Sequence, residues 1–297
     1  FVPGVDESKS FSRDILKSQE FRSLLEDPSS RGSDIVALAK RHPVINYALN
    51  AKPRTAYIMD TEPHTVCVID QFNKYFPDFS SSHLSRAGMV LMLLLHDIGK
   101  DMQTPLMSQH ATTLNVIEEI SKDLPLSDQE LRVVRGVIDG DVLGSYAQKF
   151  LRKPASEPRR ALAHLIEAGD LTGAHYRAYL EMFEVMSVTE EQRAMFKQDA
   201  LLDFAAQASE AGLSAQELYP IVMPYYCCDL SGYSLDAGAY PALEGFWQFA
   251  QEIDSDRVIT FANRPSIMLV RKENRPRLLF TPVVEQAMVD FEAALGV

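Results

Sequence analysis

The residues best suited to chemistry are two adjacent polar side chains, His96 and Asp97, at the end of an apolar run. The run reads MVLMLLL and passes directly into HDIGK. An imidazole and a carboxylate are suitable ligands for zinc, iron, manganese or nickel. Adjacent residues on a helix point about 100° apart, so both can face one ion only at a helix end or a distorted turn. Gly99 allows the helix to end there.

Taken alone, such a pair is more often a structural helix cap, but two distant residues favour a metal site. His64 falls near the start of the preceding predicted helix, and Asp170 falls inside the apolar stretch HLIEAGDLTGAHYRAYLEMF. Aspartate is a poor choice within a helix on propensity alone. Its apolar flanks indicate a buried face, and a buried carboxylate needs a cation or a metal as its partner.

These residues form a pattern, H…HD…D on helices, that resembles the signature of the HD superfamily of metal-dependent phosphohydrolases. PHTVCVID resembles the family's first-histidine helix, LLLHDIGK is among its most specific strings, and AGDLTGAHYRA resembles the helix with the last aspartate. The resemblance covers residues 55 to 182. It implies one divalent transition metal (Mn, Fe, Ni, Co or Zn). Its ligands would be His64, His96, Asp97 and Asp170.

Three basic residues would contact the substrate if the resemblance holds. Lys100 could reach a phosphate, although a lysine at a helix end is also favoured by the helix dipole. His110 stands where many family members have a histidine, which could bind a second metal or a phosphate. Arg177 shares a helix face with Asp170, so it could bind phosphate or form a salt bridge at the edge of the core.

The implied mechanism is attack on phosphorus by a water that the metal activates. Lys100, His110 or Arg177 would neutralise the developing phosphate charge. Asp97 or Asp101 would accept the proton. The catalytic residues expected from the sequence are therefore Asp97, Lys100 and His110.

The sequence also departs from the binuclear members of the family. No histidine lies between positions 110 and 164, where those members carry more, and their GYP string is absent. One metal is therefore favoured over two, although a second metal or Mg²⁺ stays open. We expect a phosphohydrolase or phosphodiesterase acting on a small-molecule phosphoester or nucleotide. The alternatives are an HD-fold binding or signalling module with weak or no catalysis and, less favoured, a diiron oxygenase.

The elements that must position these residues are helices. Apolar spacing and capping residues predict a helix from Thr61, as N-cap, to about Tyr75 and a buried helix from Ser85 to about Asp97. Further helices are predicted by the same criteria at about 110–122, 128–139, 159–184 and 189–211. The fold class is mainly α: an HD-domain helical bundle core with a small C-terminal α+β appendage.

The predicted organisation has three parts: an N-terminal helical extension (1–54), an HD-type metal-binding core (55–184) and a C-terminal part (185–297) packed on the core. Near the C-terminus, RKENRPR separates two runs rich in β-branched and apolar residues. This pattern predicts a two- or three-stranded antiparallel element, closed by a short helix at 283–295. The apolar strands leave a homo-oligomer open.

Composition limits the partners and the compartment. The net charge of −12 argues against general nucleic-acid binding, although a local pocket could still hold one phosphate. Three cysteines without a CxxC spacing favour a reducing, cytoplasmic compartment. No apolar stretch approaches the roughly 20 residues that a membrane span needs.

Overall fold

The computed structural model is mainly helical, as the sequence predicts. It describes residues 11–51, 60–103, 107–148, 190–232, 257–259, 267–272, 275–280 and 282–297. The predicted helix at 159–184, with Asp170 and Arg177, lies outside the described residues. The chain divides into an N-terminal unit, Phe1–Asp139, and a C-terminal unit, Gly140–Val297. The three-part organisation from the sequence stays a prediction.

The N-terminal unit contains seven described α-helices and two short 3-10 helices. The α-helices are α1 (Gln19–Glu26), α2 (Gly32–Ala39), α3 (Pro43–Leu49), α4 (Thr61–Tyr75), α5 (Arg86–Leu95), α6 (Gln109–Ile120) and α7 (Asp128–Asp139). The 3-10 helices are Arg13–Lys17 and Lys100–Met102. The predicted helices near 61–75, 85–97, 110–122 and 128–139 are therefore confirmed, with ends that differ by one or two residues.

Helix α5 forms the centre of this unit. Every residue from Gly88 to Leu95 is buried, which explains why the sequence is apolar nearly all round. Ser85 caps the helix by accepting a hydrogen bond from the Gly88 N–H at 3.1 Å. The Glu130 carboxylate then accepts hydrogen bonds from Ser85 (3.1 and 2.5 Å) and from Ser127 (3.0 and 2.9 Å). One side chain thus ties the start of α5 to the start of α7.

Helix α4 packs against α2, and this contact places His64. Thr61 is the first helical residue and Asp60 is the N-cap, so the prediction of Thr61 as N-cap is wrong by one residue. Gly32 lets the two helices approach closely, because a Cβ there would lie 2.4 Å from the Val66 carbonyl oxygen. The Gly32 N–H also donates to Asp70 Oδ1 at 2.6 Å.

The C-terminal unit contains four described α-helices and a sheet. The helices are α8 (Val142–Gln148), α9 (Glu190–Ala211), α10 (Ala215–Ser231) and α11 (Pro282–Leu295). Strands β1 (Arg257–Ile259), β2 (Ile267–Lys272) and β3 (Arg275–Phe280) form an antiparallel sheet in chain order. The predicted antiparallel element and the closing helix are confirmed.

An aromatic cluster joins the helices of this unit. The Phe291 ring lies 5.5 Å from the Phe204 ring, 6.0 Å from the Tyr219 ring and 5.5 Å from the Tyr146 ring, between centroids. The Tyr219 hydroxyl also donates to Glu292 at 2.8 Å. Each helix therefore contributes a ring to one apolar core.

Helix α10 has no counterpart among the helices predicted from the sequence, and it contains Pro220 and Pro224. Proline removes a helical hydrogen bond and usually ends or kinks a helix. Here the helix begins with a capping box, in which Ser214 and Glu217 satisfy each other's backbone N–H groups. Burial of apolar side chains such as Leu218 offsets the lost bonds.

Candidate metal centre

His96 and Asp97 lie at the C-terminal end of α5, where the sequence places them. His96 is the C-cap and keeps helical backbone angles (φ −56°, ψ −39°). Its Nδ1–H donates to the Leu93 carbonyl at 2.6 Å, since a carbonyl can only accept. The lone pair of the neutral ring is therefore on Nε2, which is the arrangement of a metal-binding histidine whose other nitrogen is held by the protein.

His64 reaches the same place from α4. Its ring centroid lies 5.3 Å from that of His96, and one ring nitrogen of each residue lies within 4.8 Å of the other. Asp97 Oδ2 lies 4.0 Å from His64 Nε2 and 3.8 Å from His96 Nε2. The three side chains are 0%, 3% and 6% exposed. The fold therefore gathers two imidazoles and a carboxylate in a buried position, which we call the His64–His96–Asp97 cluster.

Two further side chains hold the Asp97 carboxylate. Lys100 Nζ donates to Oδ2 at 2.7 Å, and Gln109 Nε2 donates to Oδ1. Lys100 is itself buried, so its ammonium and the carboxylate offset each other's desolvation. Lys100 thus contacts a predicted metal ligand directly. Gln109, the first residue of α6, was not singled out from the sequence, because no local pattern indicates that α6 begins beside Asp97.

Gly99 follows the end of α5, where the sequence analysis allows the helix to end. Its backbone angles are φ −91° and ψ −3°, which any residue can adopt. The absence of a side chain matters instead. A Cβ on Gly99 would lie 2.3 Å from the Thr113 backbone nitrogen, and the Gly99 N–H donates to Thr113 Oγ1 at 3.1 Å. The glycine allows α6 to pack against the end of α5, with Gln109 beside Asp97.

His110 occupies an exposed position at the start of α6. Its Nδ1–H donates to the Ile138 carbonyl at 2.8 Å, which ties α6 to α7. Its role as a second-metal or phosphate ligand stays a prediction. The same holds for Asp170 and Arg177, which lie outside the described residues.

The donor set of the cluster fits a divalent transition metal. Two neutral imidazoles and one carboxylate match Zn, Mn, Fe, Co or Ni, and catalytic zinc sites commonly use three protein ligands with one open position. With ligand bonds of about 2.1 Å, donor atoms of a tetrahedral site lie about 3.4 Å apart. The separations of 3.8 and 4.0 Å then need an inward shift of about half an ångström. The two imidazole nitrogens lie within 4.8 Å of each other, so they would approach by up to about 1.4 Å.

Within the described ranges, no helix is both long enough and apolar enough to cross a membrane. Comparison of the chain with protein-family models, with curated proteins and with solved structures found no match in any of the three. The resemblance to the HD superfamily therefore rests on the residues of the H…HD…D pattern alone.

Proposed function

We propose that the protein is a metal-dependent phosphohydrolase that hydrolyses a small-molecule phosphoester, with a nucleotide as the favoured substrate class. The observation that carries the proposal is the buried His64–His96–Asp97 cluster. Its His96 ring is fixed by the Leu93 carbonyl so that Nε2 bears the lone pair. The three residues come from two helices that are distant in the sequence, and their order matches the H…HD part of the H…HD…D pattern.

The residues of the cluster would hold one divalent transition metal, with Asp170 as the fourth ligand that the resemblance implies. When bound, such a metal supplies a Lewis acid for a phosphoryl oxygen and a water of lowered pKa. Gln109 and Lys100 fix the two oxygens of Asp97, so this carboxylate keeps one orientation. A ligand held in this way needs little reorganisation when the substrate binds.

Lys100 is the basic residue best placed to contact a substrate phosphate. Its ammonium lies 2.7 Å from Asp97 Oδ2 and next to the proposed metal ligands. An ammonium has three N–H donors, so Lys100 could keep its bond to Asp97 while it donates to a phosphoryl oxygen. His110 and Arg177 stay in the proposal as further phosphate contacts.

The proposal is tested by metal analysis together with a phosphoester panel. Purified protein is loaded with Mn²⁺, Fe²⁺, Co²⁺, Ni²⁺ or Zn²⁺, the bound metal is measured by mass spectrometry, and release of phosphate or nucleoside is followed. We expect metal binding and turnover in the native chain, and loss of both in His96→Ala. His83→Ala serves as the control, because His83 lies before α5 and outside the cluster.

Two results would contradict the proposal. A native chain that binds no transition metal would remove its chemical basis. A metal-loaded chain that hydrolyses nothing on a broad panel, yet binds a nucleotide tightly, would instead support the binding or signalling module.

A further inference from the structure

The two oxygen atoms of Asp97 have different surroundings. Oδ2 lies 4.0 Å from His64 Nε2 and 3.8 Å from His96 Nε2, and it also accepts a hydrogen bond from Lys100 at 2.7 Å. Oδ1 accepts a hydrogen bond from the Gln109 side-chain amide. An ionised carboxylate only accepts hydrogen bonds, so Gln109 must present its NH₂ group to Oδ1. Oδ2 is therefore the oxygen that faces both imidazoles, and Oδ1 is the oxygen that Gln109 holds.

Gln109 can hold this oxygen because its backbone is fixed at the start of α6. Ser108 caps the helix by accepting a hydrogen bond from the Ala111 N–H at 3.2 Å. His110 Nδ1–H donates to the Ile138 carbonyl at 2.8 Å, which holds the first turn of α6 against α7. Gln109 itself is half-buried, whereas its neighbours Ser108 and His110 are exposed. The amide therefore extends toward Asp97 from a backbone of defined position.

The hydrogen bond from Gln109 limits how Asp97 can bind a metal. A carboxylate can bind a metal through one oxygen or through both. To place both oxygens on one ion, the carboxylate would have to turn Oδ1 toward the imidazoles and break its bond to Gln109. Hydrogen bonds to a charged acceptor are roughly twice as strong as neutral ones, so this rotation is costly. The arrangement therefore favours binding through Oδ2 alone.

We propose that Gln109 is a positioning residue that makes Asp97 a ligand through Oδ2 alone, and that it thereby favours Zn²⁺ over Mn²⁺ in the His64–His96–Asp97 cluster. Zn²⁺ is satisfied by four ligands, whereas Mn²⁺ suits sites with more oxygen ligands. A carboxylate that offers one oxygen keeps the number of ligands low. This inference rests on the proposed function, because it concerns the metal that the cluster would hold.

The first test compares the metal affinities of Gln109→Met and the native chain. Methionine keeps the length of the side chain and removes its N–H donor. Affinities of the full chain for Zn²⁺ and Mn²⁺ are measured by competition with a chelator. We expect the affinity for Zn²⁺ to fall by about 10- to 100-fold and the affinity for Mn²⁺ to fall by less. The ratio of the two affinities is the diagnostic quantity, because zinc binds most such sites more tightly than manganese in any case.

Bound Co²⁺ gives a second measurement that does not depend on activity. Its visible absorption is strong in four-coordinate sites and weak in six-coordinate sites. The absorption should therefore decrease in Gln109→Met, where Asp97 is free to bind through both oxygens. Gln198→Met is the matched control, because it makes the same change at an exposed position on α9. Gln109→Asn keeps the amide on a side chain that is too short to reach Asp97, so it should behave like Gln109→Met and serves if that variant does not fold.

Two outcomes would overturn this role of Gln109. The first is unchanged metal affinities and an unchanged Co²⁺ spectrum in Gln109→Met and Gln109→Asn. The second is an equal loss of affinity for Zn²⁺ and Mn²⁺ with an unchanged spectrum, which would show a structural role only. Neither outcome affects metal binding and turnover by the native chain, so the proposed function would stand. A metal-loaded native chain that hydrolyses nothing would contradict the proposed function and leave the affinities and the spectrum measurable.

Discussion

Replacing Gly99 with alanine should destabilise the N-terminal unit, because the new methyl group would meet backbone atoms. The ideal Cβ position lies 2.3 Å from the Thr113 nitrogen, 2.7 Å from the Thr112 carbonyl carbon and 2.8 Å from the Thr113 Cα. Real Cβ atoms do not approach other atoms so closely. Helix α6 must therefore move away from the end of α5, since no side-chain rotation can relieve a contact with backbone.

The size of the effect follows from three contributions. Overpacking of this kind costs about 1 to 3 kcal/mol. Loss of the hydrogen bond from the Gly99 N–H to Thr113 Oγ1 adds about 1 kcal/mol. Alanine also reduces the conformational freedom of the unfolded chain. Because the backbone angles at Gly99 suit any residue, this effect stabilises the folded state and offsets about 0.4 to 1 kcal/mol of the loss. The expected net loss is about 2 kcal/mol, or roughly 4 to 8 °C in Tm.

Urea and thermal unfolding of the full chain measure this loss. Gly140→Ala is the matched control, since its Cβ would have no neighbour closer than 3.8 Å and its φ is not positive. We expect a change of at most about 0.5 kcal/mol there. The Gly99 variant should also bind transition metal more weakly, because movement of α6 removes Gln109 from Asp97. A Gly99→Ala protein as stable as the Gly140→Ala protein would refute the close-packing argument.

Three further perturbations test the same structure by urea unfolding. Lys100→Met leaves the buried Asp97 carboxylate without its cation, so we expect the free energy of unfolding to fall by about 3 kcal/mol without metal and by less with Zn²⁺ bound. An equal loss in the two states would contradict this. Burial lowers the pKa of His42 more than the Asp123 hydrogen bond raises it. The stability that neutral His42 contributes to the folded state is therefore complete above pH 6.5 and is lost as the pH falls through its folded-state pKa. If stability depends on pH in the same way in His42→Asn, this account is wrong. Burial raises the pKa of Glu130, but its hydrogen bonds lower it more, so its contribution is present above pH 4.5 and lost as the pH falls below it. Glu130→Gln should lower the free energy of unfolding by about 1 kcal/mol at neutral pH, a modest loss because the carboxylate is partly exposed. An unchanged free energy of unfolding would show that the link from Glu130 to α5 is not stabilising.

Much of the fold is visible in local patterns of the sequence. The apolar run before His96 predicts a buried helix that ends at a polar pair, and Ser85 predicts its start. These features depend on residues a few positions apart, so short windows of sequence are enough to detect them. The C-terminal strands were predicted in the same way, from two apolar runs with a charged separator.

Other features could not be read from local patterns. Helix α10 forms despite Pro220 and Pro224, because its capping box and buried apolar side chains offset the missing hydrogen bonds. The N-cap of α4 is Asp60 and not Thr61. Both residue types are suitable N-caps, so the sequence alone could not decide between them.

For the candidate site, the sequence alone indicated which side chains could bind a metal: His64, His96, Asp97 and Asp170, the last of which lies outside the described residues. Only the tertiary structure decided that the first three meet, and that Gln109 holds the carboxylate. It also decided that the lack of a side chain at Gly99 lets α6 pack against the end of α5. The physical reason is the range of the interactions. A helix end is set by neighbours along the chain, whereas contacts between helices depend on how whole faces pack together.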